Sequence, residues 1–186
     1  MLLPTGYGGM MITVLIDITD DTGNDAARTA ARLAGSLASL IPAVIEGLVS
    51  DAIIRDVYGN TGIQEVADQA GATVIAGSPP DSIAAARGSW LLILEPGARL
   101  DPGWADPARR FIESDVGNTA HFSIAGRRGF FASLFARPRA LRRGLLIAKP
   151  VAATMAAKVR SLEALASGRA SRRISAGLVP PDAFPD

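Results

Sequence analysis

Three acids stand at the ends of apolar runs. Asp17 lies next to the end of MITVLIDI (11–18), Asp56 closes DAIIRD (51–56) and Glu95 closes WLLILE (90–95). An acid at a strand end is delivered to a loop, where it can hold a metal, bind a ribose hydroxyl or move a proton. The most pointed of these stretches is LLILEPGARLDPGW (91–104). It runs as a strand into Glu95, turns through Pro96-Gly97 and restarts at Asp101-Pro102. Paired carboxylates are usual where a strand end holds a cation, and only Glu95 stands here. A single acid beside Pro-Gly is also ordinary turn composition, and Asp56 can equally cap the loop that follows it. Arg99 can offer charge to a diphosphate or remain a solvated cation.

Other chemistries are argued against by composition. The 186 residues include no cysteine and one histidine, His121. That leaves no thiolate nucleophile, disulfide framework or cysteine zinc site, and it speaks against a Ser-His-Asp triad or a histidine-rich metal site. The net charge is +1, so charge balance makes no case for nucleic acid. Neither a GxGxxG nor a GxxxxGK[ST] loop is present. No apolar run approaches the ~20 residues that span a bilayer. The start, MLLPTGYGGMMITVLIDI, lacks a basic leader, and a cytoplasmic location is expected.

The elements that must position these residues alternate. Apolar, β-branched runs predict strands at 11–18, 51–56, 72–76, 90–95 and 119–125. Between them the pattern predicts helices over 22–40, 61–70 and 82–87, the last ending at Gly88, and one that starts at Asp101-Pro102 and runs toward Glu113. Short apolar strands alternating with helices predict an α/β fold: one domain, a mainly parallel sheet and helices on both faces. Residues 1–10 read as a disordered lead-in, 11–167 as the domain, with one helix over 151–167, and 168–186 as an irregular tail.

The segment GRRGFFASLFARPRALRRGLL (126–146) differs in character. Phe130, Phe131, Leu134 and Phe135 fall at near-helical spacing, with Arg127, Arg128, Arg137, Arg139, Arg142 and Arg143 flanking. Aromatic residues beside cations suit a membrane interface. The segment is equally a core-packed loop with solvated arginines, or an acceptor-binding loop.

The order of elements resembles the GT-A fold of small bacterial family 2 glycosyltransferases. The resemblance rests on the first strand and helix, on EGLVSDAIIRDVYGNTG (46–62), on ARGSWLLILEPGARLDPGW (86–104) and on FARPRALRRGLLIAKP (135–150). It implies a Rossmann-like nucleotide-sugar-binding domain that transfers a sugar from a nucleoside diphosphate to an acceptor hydroxyl, for instance on a lipid-linked or cell-envelope glycan. It implies Asp17, Asp56 and Asn60 toward the nucleotide, Glu95 and Arg99 toward metal and diphosphate, and Mg²⁺ or Mn²⁺ as cofactor. Phe130, Phe131, Phe135, Arg142 and Arg143 become a membrane or acceptor loop, with the chain peripheral at the inner membrane face.

The sequence departs from that family's pattern at four places. Gly97 replaces the second metal acid, the loop after Asp56 lacks a second Asp, and GSPPD (77–81) carries no arginine. The Glu-Asp pair that supplies the base has Glu163 as its nearest match. Framework residues survive while reactive ones are altered. The alternative to a transferase is therefore a catalytically inactive GT-A domain that binds a nucleotide, a membrane or a protein.

Overall fold

The computed structural model describes residues 10–18, 25–114, 117–125, 140–167 and 171–181. Their strands form one sheet of eight, in the order β3-β2-β1-β4-β7-β6-β8-β5. The strands are β1 (Ile12–Ile18), β2 (Val49–Asp56), β3 (Thr73–Ile75), β4 (Trp90–Leu94), β5 (Arg99–Leu100), β6 (Thr119–Ile124), β7 (Leu145–Ala148) and β8 (Arg172–Val179). The first four run parallel, as expected of apolar strands joined by helices. Beyond β4 the pairing is mixed: β7 is antiparallel to both β4 and β6, β8 is parallel to β6, and β5 is antiparallel to β8.

Helices cover both faces. On one lie α1 (Ala26–Ala38), α3 (Thr61–Ala70) and α5 (Ala105–Glu113), which bury Leu33, Ile63, Ala108 and Ile112 against Ile16, Ile54 and Leu92. On the other lie α4 (Pro79–Ala85) and α6 (Lys149–Ala156), which bury Ile83 and Ala152 against Leu15, Ile53 and Ile93. β1 is buried along its whole length, because helices stand above and below it. Trp104 and Phe122 meet edge to face with centroids 6.1 Å apart, which ties the start of α5 to the mixed half of the sheet.

Several elements differ from the sequence reading. An extra short helix, α2 (Ile41–Ile45), follows α1, because Pro42 suits a first turn and restarts the chain there. α4 begins at Pro79 rather than 82, because Ser78 and Asp81 form a reciprocal capping box. Asp81 is held below the usual carboxylate range by hydrogen bonds from the Ser78 side chain and backbone. Gly88 ends no helix. A Cβ there would lie 2.5 Å from Thr13 N and 2.6 Å from Met11 O, so the glycine lets the chain pass against β1. Asp101-Pro102 makes a turn, and α5 begins at Ala105.

Two larger corrections concern the C-terminal third. The helix expected over 151–167 ends at Ala156, and a separate 3-10 turn forms at Glu163–Leu165. Leu162 and Leu165 are buried in the same core cluster as Ala152 and Ala156 of α6. The tail expected to be irregular contains β8, whose Ile174 and Leu178 are buried. Residues 1–9, which hold most of the lead-in, lie outside the described residues.

Candidate functional site at the carboxyl edge of the parallel strands

The chain builds β1, β2 and β3 outward to one side, then returns to place β4 on the other side of β1. That reversal lies between β1 and β4. In open α/β sheets the crevice at the carboxyl ends of the strands flanking such a reversal is the usual ligand site. The three strand-end acids gather along this edge. Ile18 pairs in register with Asp56 on one side of β1, and Ile16 with Leu94 on the other. Asp17 and Glu95 therefore stand one step beyond the last paired residues of β1 and β4.

The chain itself engages much of this edge. Asp17 is buried, with the Arg55 Nε 2.7 Å from its Oδ1. That approach lies off the line of a hydrogen bond, so charge rather than a directed bond holds the pair. Arg55 is the register partner of Asp17 in β2, and it also donates to the Gly77 carbonyl at 3.3 Å. The other oxygen of Asp17 accepts the backbone N–H of Leu162 at 3.1 Å. Asp17 thus anchors the 3-10 turn of Glu163–Leu165 over the strand ends. Arg55 and Leu162 were not legible as site residues, although an arginine inside the apolar run AIIRD was a signal for a buried charged partner.

Asp56 is 1 % exposed and accepts the N–H groups of Tyr58 and Asn60, each at 2.9 Å. Its carboxylate shapes the loop from 57 to 60. Asn60 then caps α3, its Oδ1 accepting from Gly62 at 2.9 Å and from Ile63 at 3.3 Å. Tyr58, half-exposed in that loop, puts an aromatic ring at the same edge. Sequence reasoning passed it over.

Glu95 is half-buried and begins the turn in which Ala98 N–H donates to the Glu95 carbonyl at 3.0 Å. Gly97 has φ +94° and donates its N–H to Ser36 Oγ of α1 at 2.8 Å. A Cβ at Gly97 would meet the Pro181 Cβ at 3.1 Å and the Arg32 Cβ at 3.2 Å. This backbone disfavours any side chain at position 97, so an acid there would carry strain and crowd Pro181 and Arg32. Among the described residues no group of three or more acids or histidines converges on a metal position. The donor set does not fit a preformed metal cage.

Arg99 is exposed in β5, and its guanidinium lies where a Cβ on Gly35 of α1 would be, at 2.6 Å. It is thus laid across α1 close to the Glu95–Gly97 turn. Glu163 is half-buried, and its Oε1 accepts the Ala140 N–H at 3.1 Å, joining the two 3-10 turns. Arg142 is half-buried and Arg143 exposed in the Ala140–Arg143 turn before β7. Phe130, Phe131 and Phe135 lie outside the described residues. The structure therefore brings Asp17, Asp56, Asn60, Glu95 and Glu163 to one edge, but leaves the Arg/Phe loop undescribed beyond its last arginines.

The opposite edge is different in kind. An apolar cavity of about 520 Å³ opens where β2 begins, between α1, α2 and α3, lined by Leu37, Ile41, Val44, Val49 and Val66. Among the described residues no helix is long and apolar enough to cross a membrane.

No protein-family model matches the chain, and no curated protein does. Solved structures do. Glucosyl-3-phosphoglycerate synthase from Mycobacterium tuberculosis, in complex with phosphoglyceric acid, superposes with a TM-score of 0.54 at 16 % identity, covering 77 % of this chain and 58 % of that one. The fold is GT-A. Mannosyl-3-phosphoglycerate synthase from Rubrobacter xylanophilus gives 0.51 at 14 % identity, covering 76 % of this chain and 55 % of that one. S. aureus TarS 1-349 gives 0.52 at 11 % identity, with 89 % and 58 % covered. The mycobacterial enzyme has also been solved with Mn²⁺, UDP and glucosyl-3-phosphoglycerate. The chain spans somewhat over half the length of these neighbours.

Proposed function

We propose that the chain is a glycosyltransferase-like protein that binds a nucleoside diphosphate sugar at the carboxyl edge of β1, β2 and β4 and transfers the sugar to an acceptor hydroxyl. The observation that carries this reading is the crevice at the sheet reversal of a GT-A fold, with the loop shaped by Asp56 and the Glu95–Gly97 turn on its rim. Solved neighbours of the same fold include one with UDP bound, which supports the donor class. In this reading the loop held by Asp56 presents Tyr58 to the nucleobase, and Asn60 fixes that loop on α3. The diphosphate lies toward the Glu95–Gly97 turn, with Arg99 and Arg32 as the cations next to it.

In the reaction the acceptor oxygen bonds to the anomeric carbon as the bond from that carbon to the diphosphate oxygen breaks. The hydroxyl proton passes to a carboxylate. Glu163 is the candidate, because it enters the same edge beside Leu162. Developing charge on the diphosphate falls to the arginines.

A second reading is an inactive GT-A domain that binds the nucleotide without turnover. It is favoured by one observation: Asp17 and Asp56 already accept bonds or charge from the chain itself. A screen of UDP- and GDP-sugars that reads released nucleoside diphosphate separates the two. Release above background, abolished in Glu163→Gln, supports transfer. Saturable nucleotide binding with no release from any donor supports the inactive domain.

A further inference from the structure

In the mixed half of the sheet, a histidine and two arginines from three elements lie on one face. His121 of β6 is the register partner of Arg173 in β8. Ser171 lies two residues before Arg173, hence on the same face by strand alternation, and its Oγ is 2.7 Å from His121 Nδ1. On the other flank of β6 packs the 3-10 turn Ala140–Arg143, which carries Arg143. Arg143 and Arg173 are exposed, and among the described residues neither has an ion-pair partner. His121 is half-buried between them. Burial first, then the charges of Arg143 and Arg173, push its imidazole below the ordinary value of 6.5. Two arginines on the face of one imidazole disfavour its protonated form, and an anion between them relieves that.

We propose that His121, Ser171, Arg143 and Arg173 form a recess for a phosphoryl anion, the phosphate monoester end of a soluble compound or of a lipid headgroup. The donors come from two strands and a turn, and a phosphoryl group has three oxygens to accept from them. Guanidinium groups bind such oxygens through paired N–H donors. On anion entry His121 takes up a proton. Its Nδ1–H then donates to Ser171 Oγ, which leaves the hydroxyl hydrogen and Nε2–H available to the ligand. The site goes beyond the sugar-transfer reading and stands whether or not that reading holds.

The test uses the fact that His121 is the only histidine of the chain, so its ring signals in NMR are unambiguous. The pH midpoint of the imidazole is measured in chloride, in inorganic phosphate and in glycerol 3-phosphate at matched ionic strength. Phosphate is expected to raise the midpoint by about 1 unit, the usual effect of a nearby opposite charge. Arg143→Gln and Arg173→Gln, both at exposed positions, are expected to raise the midpoint in chloride and to remove the phosphate response. Identical midpoints in chloride and both phosphates overturn the proposal. Co-sedimentation with vesicles containing phosphatidic acid, competed by free phosphate, assigns the lipid source. A response to glycerol 3-phosphate without sedimentation assigns a soluble monoester. Neither readout involves a nucleotide, so failure here is distinct from failure of the transferase reading.

Discussion

In the parallel half of the sheet, Asp17, Arg55 and Asp56 are buried and already partnered: Asp17 by Arg55 and the Leu162 N–H, Asp56 by two N–H groups of its own loop. In the mixed half, His121, Arg143 and Arg173 stand together on one face with no acid paired to either arginine among the described residues. The first set pins loops and turns to strand ends, and the fold needs it with or without ligand. The second set leaves charge uncompensated at the surface, which is what a ligand site requires. A charged residue at a strand end is therefore weak evidence of chemistry until its partners are known.

The comparison breaks most readily at Arg55. Arg55→Met leaves Asp17 buried and without its cation, and urea unfolding is expected to show a loss of about 3–5 kcal/mol. Adding Asp17→Asn recovers much of it. A loss below about 1 kcal/mol, as for an exposed pair, would place these charges with those of the mixed half. Next in size is Leu178→Ala in β8, a fully buried residue that packs near Leu94 and Phe122. It is expected to cost about 2–5 kcal/mol, whereas a residue in a loose tail would cost about 0.5 kcal/mol or less.

Gly97→Asp comes third. Its positive φ alone is expected to cost about 1–2 kcal/mol, and crowding by Pro181 and Arg32 adds to that. The variant gains no Mn²⁺ affinity by calorimetry. The smallest effect is on pH. The folded midpoint of His121 lies below its ordinary value of 6.5, so below that pH the unfolded chain binds more protons than the folded one. Stability contributed by neutral His121 is present above 6.5 and is lost as pH falls toward the folded midpoint. Melting temperature should drop over that range, and the Arg143→Gln/Arg173→Gln variant should flatten the drop.

The two halves also differ in how far the sequence revealed them. β1 was visible because a strand covered on both faces is mostly apolar, with only Thr13 and Asp17 polar in it. The helix expected over TGIQEVADQA is α3, Thr61 to Ala70, since its apolar stripe and cap are both local. The α/β class and the GT-A resemblance followed from such elements. β8 was missed because RRISAGLV takes its place by pairing with β6, some fifty positions earlier, and only Ile174 and Leu178 mark its buried face. The helix break after Ala156 was missed for a similar reason: the turn that follows is held by the Leu162 N–H on Asp17, 145 positions away. The site acids were legible as residues, but their occupation by Arg55, Leu162 and loop amides was not. The cationic cluster was hidden too, because His121 meets Arg173 through strand register and Arg143 through the turn packed on β6.

The central claim is that the carboxyl edge at the sheet reversal holds a nucleoside diphosphate without a built metal site. Calorimetric titration with UDP and GDP, with and without Mn²⁺, on the wild-type chain and on Glu95→Ala, tests it most directly. The account predicts one saturable site for at least one nucleotide, with an affinity that neither Mn²⁺ nor Glu95→Ala changes by as much as tenfold, about 1.4 kcal/mol. No heat from either nucleotide under any condition would contradict the claim. So would binding that requires Mn²⁺ and vanishes in Glu95→Ala.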